Sequence, residues 1–277
     1  SLISSGELVK VRESGIRGLT SNPTIFQKAI QGSVDYDEQF QTLIRQGSSI
    51  IDSYWAMVLE DIHGALDVFA PVYESSGGTD GFVSVEVDPN LALDEAGTLI
   101  AGQHLWDTVQ RPNLMVKIPA TQPCIPAIRA MIAAGRNVNV TLIFSLERYQ
   151  KVMDAYIDGL EDRIAAGQSI DEIASVASFF ISRVDSEVDA RLEALGTSEA
   201  LSLRGKSAIG QAVLAYEAFQ TTFSGPRWEA LVQHGAKVQR PLWASTSTKN
   251  PAYPDTMYVD QLIGPDTVNT LPDATLE

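Results

Sequence analysis

The chain has 277 residues, 44% of them hydrophobic and 20% charged, which describes a globular chain with a sizeable core and a length common for a single α/β barrel. A formal net charge of −15 argues against a nucleic-acid backbone or an anionic membrane as the main partner, although a few local cations could still hold a phosphorylated substrate. A single cysteine, Cys124, excludes a disulfide framework and a cysteine-rich metal site, and His63, His104 and His234 are scattered without metal-ligand spacing.

In chain order, Leu2 to Glu13 reads as a helix already under way, and Ile16 to Asn22 as a strand ending at Pro23. Tyr36 to Phe69 is helical, with Ile50, Tyr54, Met57, Val58, Ile62 and Leu66 at helical spacing. After the Gly/Ser turn cluster at Ser75, Gly81 to Asp88 is a strand. A helix carrying Leu99, Leu105 and Trp106 leads to the strand Asn113 to Pro119. Asn137 to Phe144 is the next strand, and Ser145 can cap a helix from Leu146 to Leu160. Ser175 to Arg183 is a strand, Ser202 to Phe223 a long helical region, Arg240 to Ser247 a strand, and Met257 to Ile263 the last strand. With no signal peptide and no long apolar span, the expected compartment is the cytoplasm.

Seven strands therefore alternate with helices, which points to a parallel sheet with crossover helices, either doubly wound or closed into a barrel. Neither a Gly-x-Gly-x-x-Gly turn nor a Walker-type loop is present, which weakens the dinucleotide-binding version. Seven is one short of an eight-stranded barrel, and the missing strand would fall before Ser1.

Strands buried on both faces of a parallel sheet should be nearly continuous apolar runs. Several of these are not. Val83, Val85 and Val87 oppose Ser84, Glu86 and Asp88; Val138, Val140, Leu142 and Phe144 oppose Asn137, Asn139 and Thr141; Thr20 and Asn22 share a face with Gly18; Ser245 and Ser247 fall on the face of Trp243. In Asn113 to Ala120, Leu114, Val116 and Ile118 form one face while Met115 and Lys117 take the other. A half-exposed antiparallel sheet would also alternate, but the intervening helices count against it. A barrel interior with its site at the strand ends gives this pattern and sets Lys117 beside Glu86, Thr141 and Asn22. A lysine there can, with its pKa lowered by desolvation, attack a carbonyl and form a Schiff base; Glu86 is the nearest acid/base group, and Thr141 could hold a water. The alternatives are a lysine snorkelling to water or simply paired with Glu86, and a threonine hydroxyl satisfied by backbone.

These residues lie in segments that together resemble the transaldolase family. The segments are Gly18-Leu-Thr-Ser-Asn-Pro-Thr-Ile-Phe26, Asn113-Leu-Met-Val-Lys-Ile-Pro-Ala-Thr121, Asn139-Val-Thr-Leu-Ile-Phe-Ser145, Ala177-Ser-Phe-Phe-Ile-Ser-Arg-Val-Asp185 and Ala244-Ser-Thr-Ser-Thr-Lys-Asn250, in family order across nearly the whole chain. The longer bacterial form, sometimes fused to a glucose-6-phosphate isomerase, is the nearest likeness. The resemblance implies an α/β fold of the TIM-type (β/α)8 class, a single domain over residues 1–277, and transfer of a dihydroxyacetone unit between ketose and aldose phosphates without metal or cofactor. It makes Lys117 the Schiff-base lysine and Glu86 an acid/base group acting through a water held with Thr141. Asn22 would contact substrate hydroxyls or the imine region, Thr20 and Ser178 would line the same pocket, and Arg183 would bind phosphate, its structural alternative being a surface ion pair with Asp185.

Two departures bear on this. Where the family's phosphate site often pairs a serine with an arginine two residues on, this chain has Ser245 and Ser247, leaving Lys249 as the available cation. The family's first strand, with an aspartate used in proton transfer, would precede Ser1, and the sequence stops at Glu277 where a final helix would start. The sequence then reads as a barrel cut short at both ends. The expected activity is that of a transaldolase of the pentose phosphate pathway with sugar-phosphate substrates, as a monomer or homodimer, either alone or beside a fused or partner glucose-6-phosphate isomerase. The rivals are a Schiff-base fructose-6-phosphate-type aldolase and a non-catalytic sugar-phosphate-binding domain of a fusion protein.

Overall fold

The computed structural model describes residue 3 and residues 5–276, so the expected helix start at Leu2 lies outside the described residues. The chain forms two compact units, Ser1–Ala92 with Ala96–Lys117, and Leu93–Glu95 with Ile118–Glu277.

In the first unit, helix α1 (Glu7–Glu13) precedes the short strand β1 (Leu19–Thr20). Gly18 admits this strand, because a Cβ there would lie 2.7 Å from the Phe82 carbonyl oxygen. Helix α2 (Pro23–Gly32) starts where Asn22 Oδ1 accepts the Ile25 N–H at 3.0 Å and Pro23 takes the first position. Then come α3 (Asp37–Arg45) and α4 (Ile50–Ser75), the latter capped by Ser49, whose hydroxyl accepts the Asp52 N–H at 3.1 Å. Of the helical stripe expected from sequence, Met57, Val58, Ile62 and Leu66 are buried, joined by Phe69, whereas Tyr54 is half-buried and Ile50 is 71% exposed. Each such side chain stabilises by roughly 1.5–3 kcal/mol. Strand β2 (Val83–Glu86), helix α5 (Glu95–Val109) and strand β3 (Leu114–Pro119) follow. The order in this unit is β1-β2-β3, all parallel, with Thr20 opposite Ser84, Ser84 opposite Met115 and Glu86 opposite Lys117. Asn113 fixes the entry to β3 by donating from Nδ2 to the carbonyls of Leu66 and Gly81.

The second unit runs through α6 (Ile125–Ala133), β4 (Val138–Ile143), α7 (Leu146–Ala165), β5 (Ser175–Phe180) and α8 (Ser182–Leu195). It continues with α9 (Ser198–Ser202), α10 (Ser207–Thr222), α11 (Gly225–Val232), β6 (Arg240–Ala244), α12 (Met257–Leu262), β7 (Val268–Asn269) and α13 (Asp273–Leu276). Its strands are again parallel and in chain order, β4-β5-β6-β7. Ser145 caps α7 as expected, accepting the Arg148 N–H at 3.1 Å. Parallel strands in chain order, alternating with helices, belong to the α/β class expected, of TIM type. Among the described residues no helix is long and apolar enough to cross a membrane.

Several boundaries differ from the sequence expectations. Met257–Ile263 is not the last strand but helix α12, and the seventh strand is Val268–Asn269. The strand expected through Arg183 ends at Phe180: Ile181 turns to φ −104°, ψ −74°, and Arg183 falls in the first turn of α8 instead. The strand Arg240–Ser247 stops at Ala244, since Ser245 sits at φ 56°. The face assigned to Leu142 and Phe144 is corrected as well. Leu142 adopts φ 60° at a register shift between Val140 and Ile143, so Ile143 is the buried residue while Leu142 is 36% and Phe144 40% exposed.

Candidate active site

The register of β2 and β3 determines which groups meet in the first unit. Because Glu86 opposes Lys117, the two side chains leave the sheet on the same face. Lys117 Nζ lies 3.0 Å from Glu86 Oε2, and it also donates to the Ser21 carbonyl at 3.3 Å. Both side chains are nearly out of water, 10% and 11% exposed. An ion pair so desolvated gains little net stability, because the loss of hydration offsets the attraction. Its persistence on a polar face speaks for chemistry. Ser21 is held in turn by β2, its N–H and hydroxyl both donating to the Ser84 carbonyl, at 3.2 and 2.7 Å. The Thr20 hydroxyl on this face is buried with no hydrogen-bond partner.

Glu86 opens onto a cleft of about 450 Å3 that also takes in Asn22, Phe26, Tyr54, Trp55 and Asp88. Burial, and then the nearby Asp88 carboxylate, push the Tyr54 phenol pKa above its ordinary value. Sequence reasoning missed the Ser21 carbonyl, which has no side-chain signature, and the aromatic wall, of which Tyr54 read only as part of a helix stripe, Phe26 only as the end of a family-like segment, and Trp55 not at all.

In the second unit, the polar face of β4 and β5 brings Ser178 to Asn139, the serine hydroxyl donating to Asn139 Oδ1 at 2.7 Å. The Thr141 hydroxyl is buried without a partner, while the Thr141 carbonyl accepts the Ala120 N–H at 2.7 Å. A threonine satisfied by backbone, the bland alternative, is therefore not what occurs. Arg183 is exposed on the first turn of α8, its guanidinium 4.9 Å from the Phe180 ring centroid, a cation–π distance. The surface ion pair with Asp185 does not form. Asp185 is buried and already accepts the Ala208 N–H and the Tyr258 hydroxyl, each at 2.7 Å. Ser245 meets Ser182 hydroxyl to hydroxyl at 2.9 Å, and exposed Lys249 donates to the Ser247 hydroxyl.

An amine and a carboxylate in contact near the carboxyl ends of parallel strands suit an α/β enzyme that works through a lysine nucleophile. The family described as Transaldolase/Fructose-6-phosphate aldolase matches residues 3–277, and the chain belongs to it. It is 54% identical over 276 residues to a transaldolase of Parafrankia sp. (strain EAN1pec), covering 99% of this chain and 75% of that relative. Against Transaldolase 1 of Streptomyces coelicolor it is 52% identical, covering 99% and 72%, and against a transaldolase of Mycobacterium ulcerans 50% identical, covering 99% and 74%.

Proposed function

We propose that this chain is a transaldolase. It moves a dihydroxyacetone unit from sedoheptulose 7-phosphate or fructose 6-phosphate to glyceraldehyde 3-phosphate or erythrose 4-phosphate. The observation that carries the reading is the contact of Lys117 Nζ with Glu86 Oε2 on a desolvated polar face; the transaldolase relatives support it.

Lys117, once its proton has passed to Glu86 or to water, adds through its nitrogen lone pair to the ketose carbonyl carbon. Loss of water gives a protonated imine, which serves as the electron sink. Glu86, through a water assigned to Thr141, takes the proton of the hydroxyl on the far carbon of the bond to be cleaved, the carbon β to the imine, so that this carbon becomes the aldehyde of the leaving aldose. That bond breaks, the aldose phosphate leaves, and its electron pair remains on the lysine-bound enamine. The enamine then attacks the second aldehyde, whose oxygen regains the proton, and hydrolysis frees the lysine. Thr20, Asn22 and Ser178 contact sugar hydroxyls, while Arg183, Ser245, Ser247 and Lys249 address the phosphate.

Borohydride reduction with fructose 6-phosphate tests this directly. The expected result is a dihydroxyacetone adduct mapping to Lys117, together with loss of turnover in a folded Lys117→Arg variant. Sugar-phosphate binding without any adduct would refute it. Assaying fructose 6-phosphate with and without erythrose 4-phosphate separates transfer from the aldolase reaction, since efficient cleavage without the acceptor would favour an aldolase.

A further inference from the structure

In a chain of net charge −15, Arg183 and Lys249 are exposed cations with no carboxylate partner among the described residues. One lies in the first turn of α8, and the other stands on the loop between β6 and α12. Helix α8 is joined at three levels to this loop and to the start of α12 that follows it. At the first, the Ser182 N–H donates to the Ser245 carbonyl at 2.9 Å, beside the contact between their hydroxyls. One turn on, Asp185 accepts the Tyr258 hydroxyl at 2.7 Å. A further turn on, Asp189 accepts the Tyr253 hydroxyl at 2.5 Å. Each carboxylate also takes a backbone N–H, Ala208 for Asp185 and Gly205 for Asp189, so both negative charges are satisfied beneath the surface. Gly205 sits at φ +69°, and a Cβ there would lie 2.9 Å from Tyr253 Cζ. The ring's place thus depends on a glycine.

The third attachment bears most directly on Lys249. Between Lys249 and Tyr253 the chain closes a short turn, with the Tyr253 N–H donating to the Asn250 carbonyl at 3.0 Å and the Ala252 N–H to Asn250 Oδ1 at 2.9 Å. Fixing the tyrosine therefore fixes the lysine four residues earlier. We infer that Asp189 and Tyr253 are positioning residues that hold the Ser247–Lys249 stretch in register with Arg183, so that the two cations form one phosphate subsite. This rests on the transaldolase reading, which makes the substrates phosphorylated sugars.

Tyr253→Phe keeps the ring and its packing and removes only the hydroxyl, while the Ser245 and Tyr258 attachments remain. The expected result is a joint rise of about tenfold, equivalent to ~1.4 kcal/mol, in KM for fructose 6-phosphate and in the inhibition constant for inorganic phosphate. kcat should change by less than about twofold, the signature of lost substrate binding. Asp189→Ala should act likewise, and Asp189→Asn, which keeps one oxygen to accept the Gly205 N–H and offers an NH2 that can donate to the Tyr253 oxygen, should recover most of the loss. A merely structural role would lower kcat through the folded fraction and leave both constants alone. The inference is overturned if Tyr253→Phe leaves the phosphate constant unchanged while Arg183→Ala raises it. If Arg183→Ala also leaves it unchanged, the phosphate assignment itself falls, and this inference with it.

Discussion

Glu86 can be tested apart from its charge pairing with Lys117. Glu86→Gln keeps the side-chain shape and an oxygen for the lysine to reach, but removes the base. A fall of roughly 10²- to 10⁴-fold in kcat is expected, with little change in thermal midpoint; a kcat within tenfold of the parent would remove Glu86 from the proton path. That Lys117 and Glu86 meet was legible in the sequence, because a period of two puts both on the polar face and parallel register does the rest. The partner of Arg183 was not. Asp185, two residues on, looked like a partner for a surface pair, but on a helix residues two apart do not face each other. The helix begins at Ser182, so arginine and aspartate part company, one to solvent and one to the core.

Among elements, α8 shows how tertiary contacts decide what propensity leaves open. Asp185 lies at the N-terminus of α10, whose own N-cap, Lys206, makes no side-chain capping bond. A carboxylate borrowed from another helix satisfies one of its free N–H groups and suits the positive end of the helix dipole. Asp185→Ala should cost roughly 2–4 kcal/mol, from two hydrogen bonds to a charged acceptor, and Asp185→Asn distinctly less; urea unfolding midpoints would show the order. The same contact explains why Met257–Ile263 misled. Its Tyr, Val and Ile content favours strand, yet as α12 it sends the Tyr258 hydroxyl to Asp185 and offers the Leu262 carbonyl to Trp243 Nε1 at 2.9 Å. Leu142 misled for a related reason, since a register shift reverses alternation without any glycine or proline to announce it.

On the scale of the whole molecule, buried or bonded phenols set an alkaline limit. Burial first, and then the hydrogen bond to Asp189, push the Tyr253 phenol up to about 12 from an ordinary 10.0. Burial likewise raises Tyr36, Tyr149, Tyr156 and Tyr258. A folded pKa above the unfolded one means that the native state holds the proton more tightly. The stability so gained is complete below the unfolded value and is lost as pH rises through the folded one. Thermal midpoints should therefore fall steadily from about pH 10 upward, and Tyr253→Phe should flatten part of that fall between about pH 10 and 12; a midpoint level across that window would contradict the assignment. The class of the fold and the family were legible at this scale, because five segments keep their sequence order and strands alternate with helices throughout. The helices α6, α8 and α11 were not foreseen; α6 and α11, at 9 and 8 residues, are too short to carry much periodic signal.

The asparagine that begins α2 has a fixed orientation. Its carbonyl end is turned back onto the Ile25 N–H, so the end that turns away is the NH2, which brings hydrogens and no lone pair. An atom of a sugar approaching that end must carry electrons to share: an alcohol or carbonyl oxygen qualifies, whereas a protonated C=N nitrogen does not. In the proposed reaction Asn22 would thus steer the polyol chain by its oxygens and leave the cationic nitrogen to Glu86.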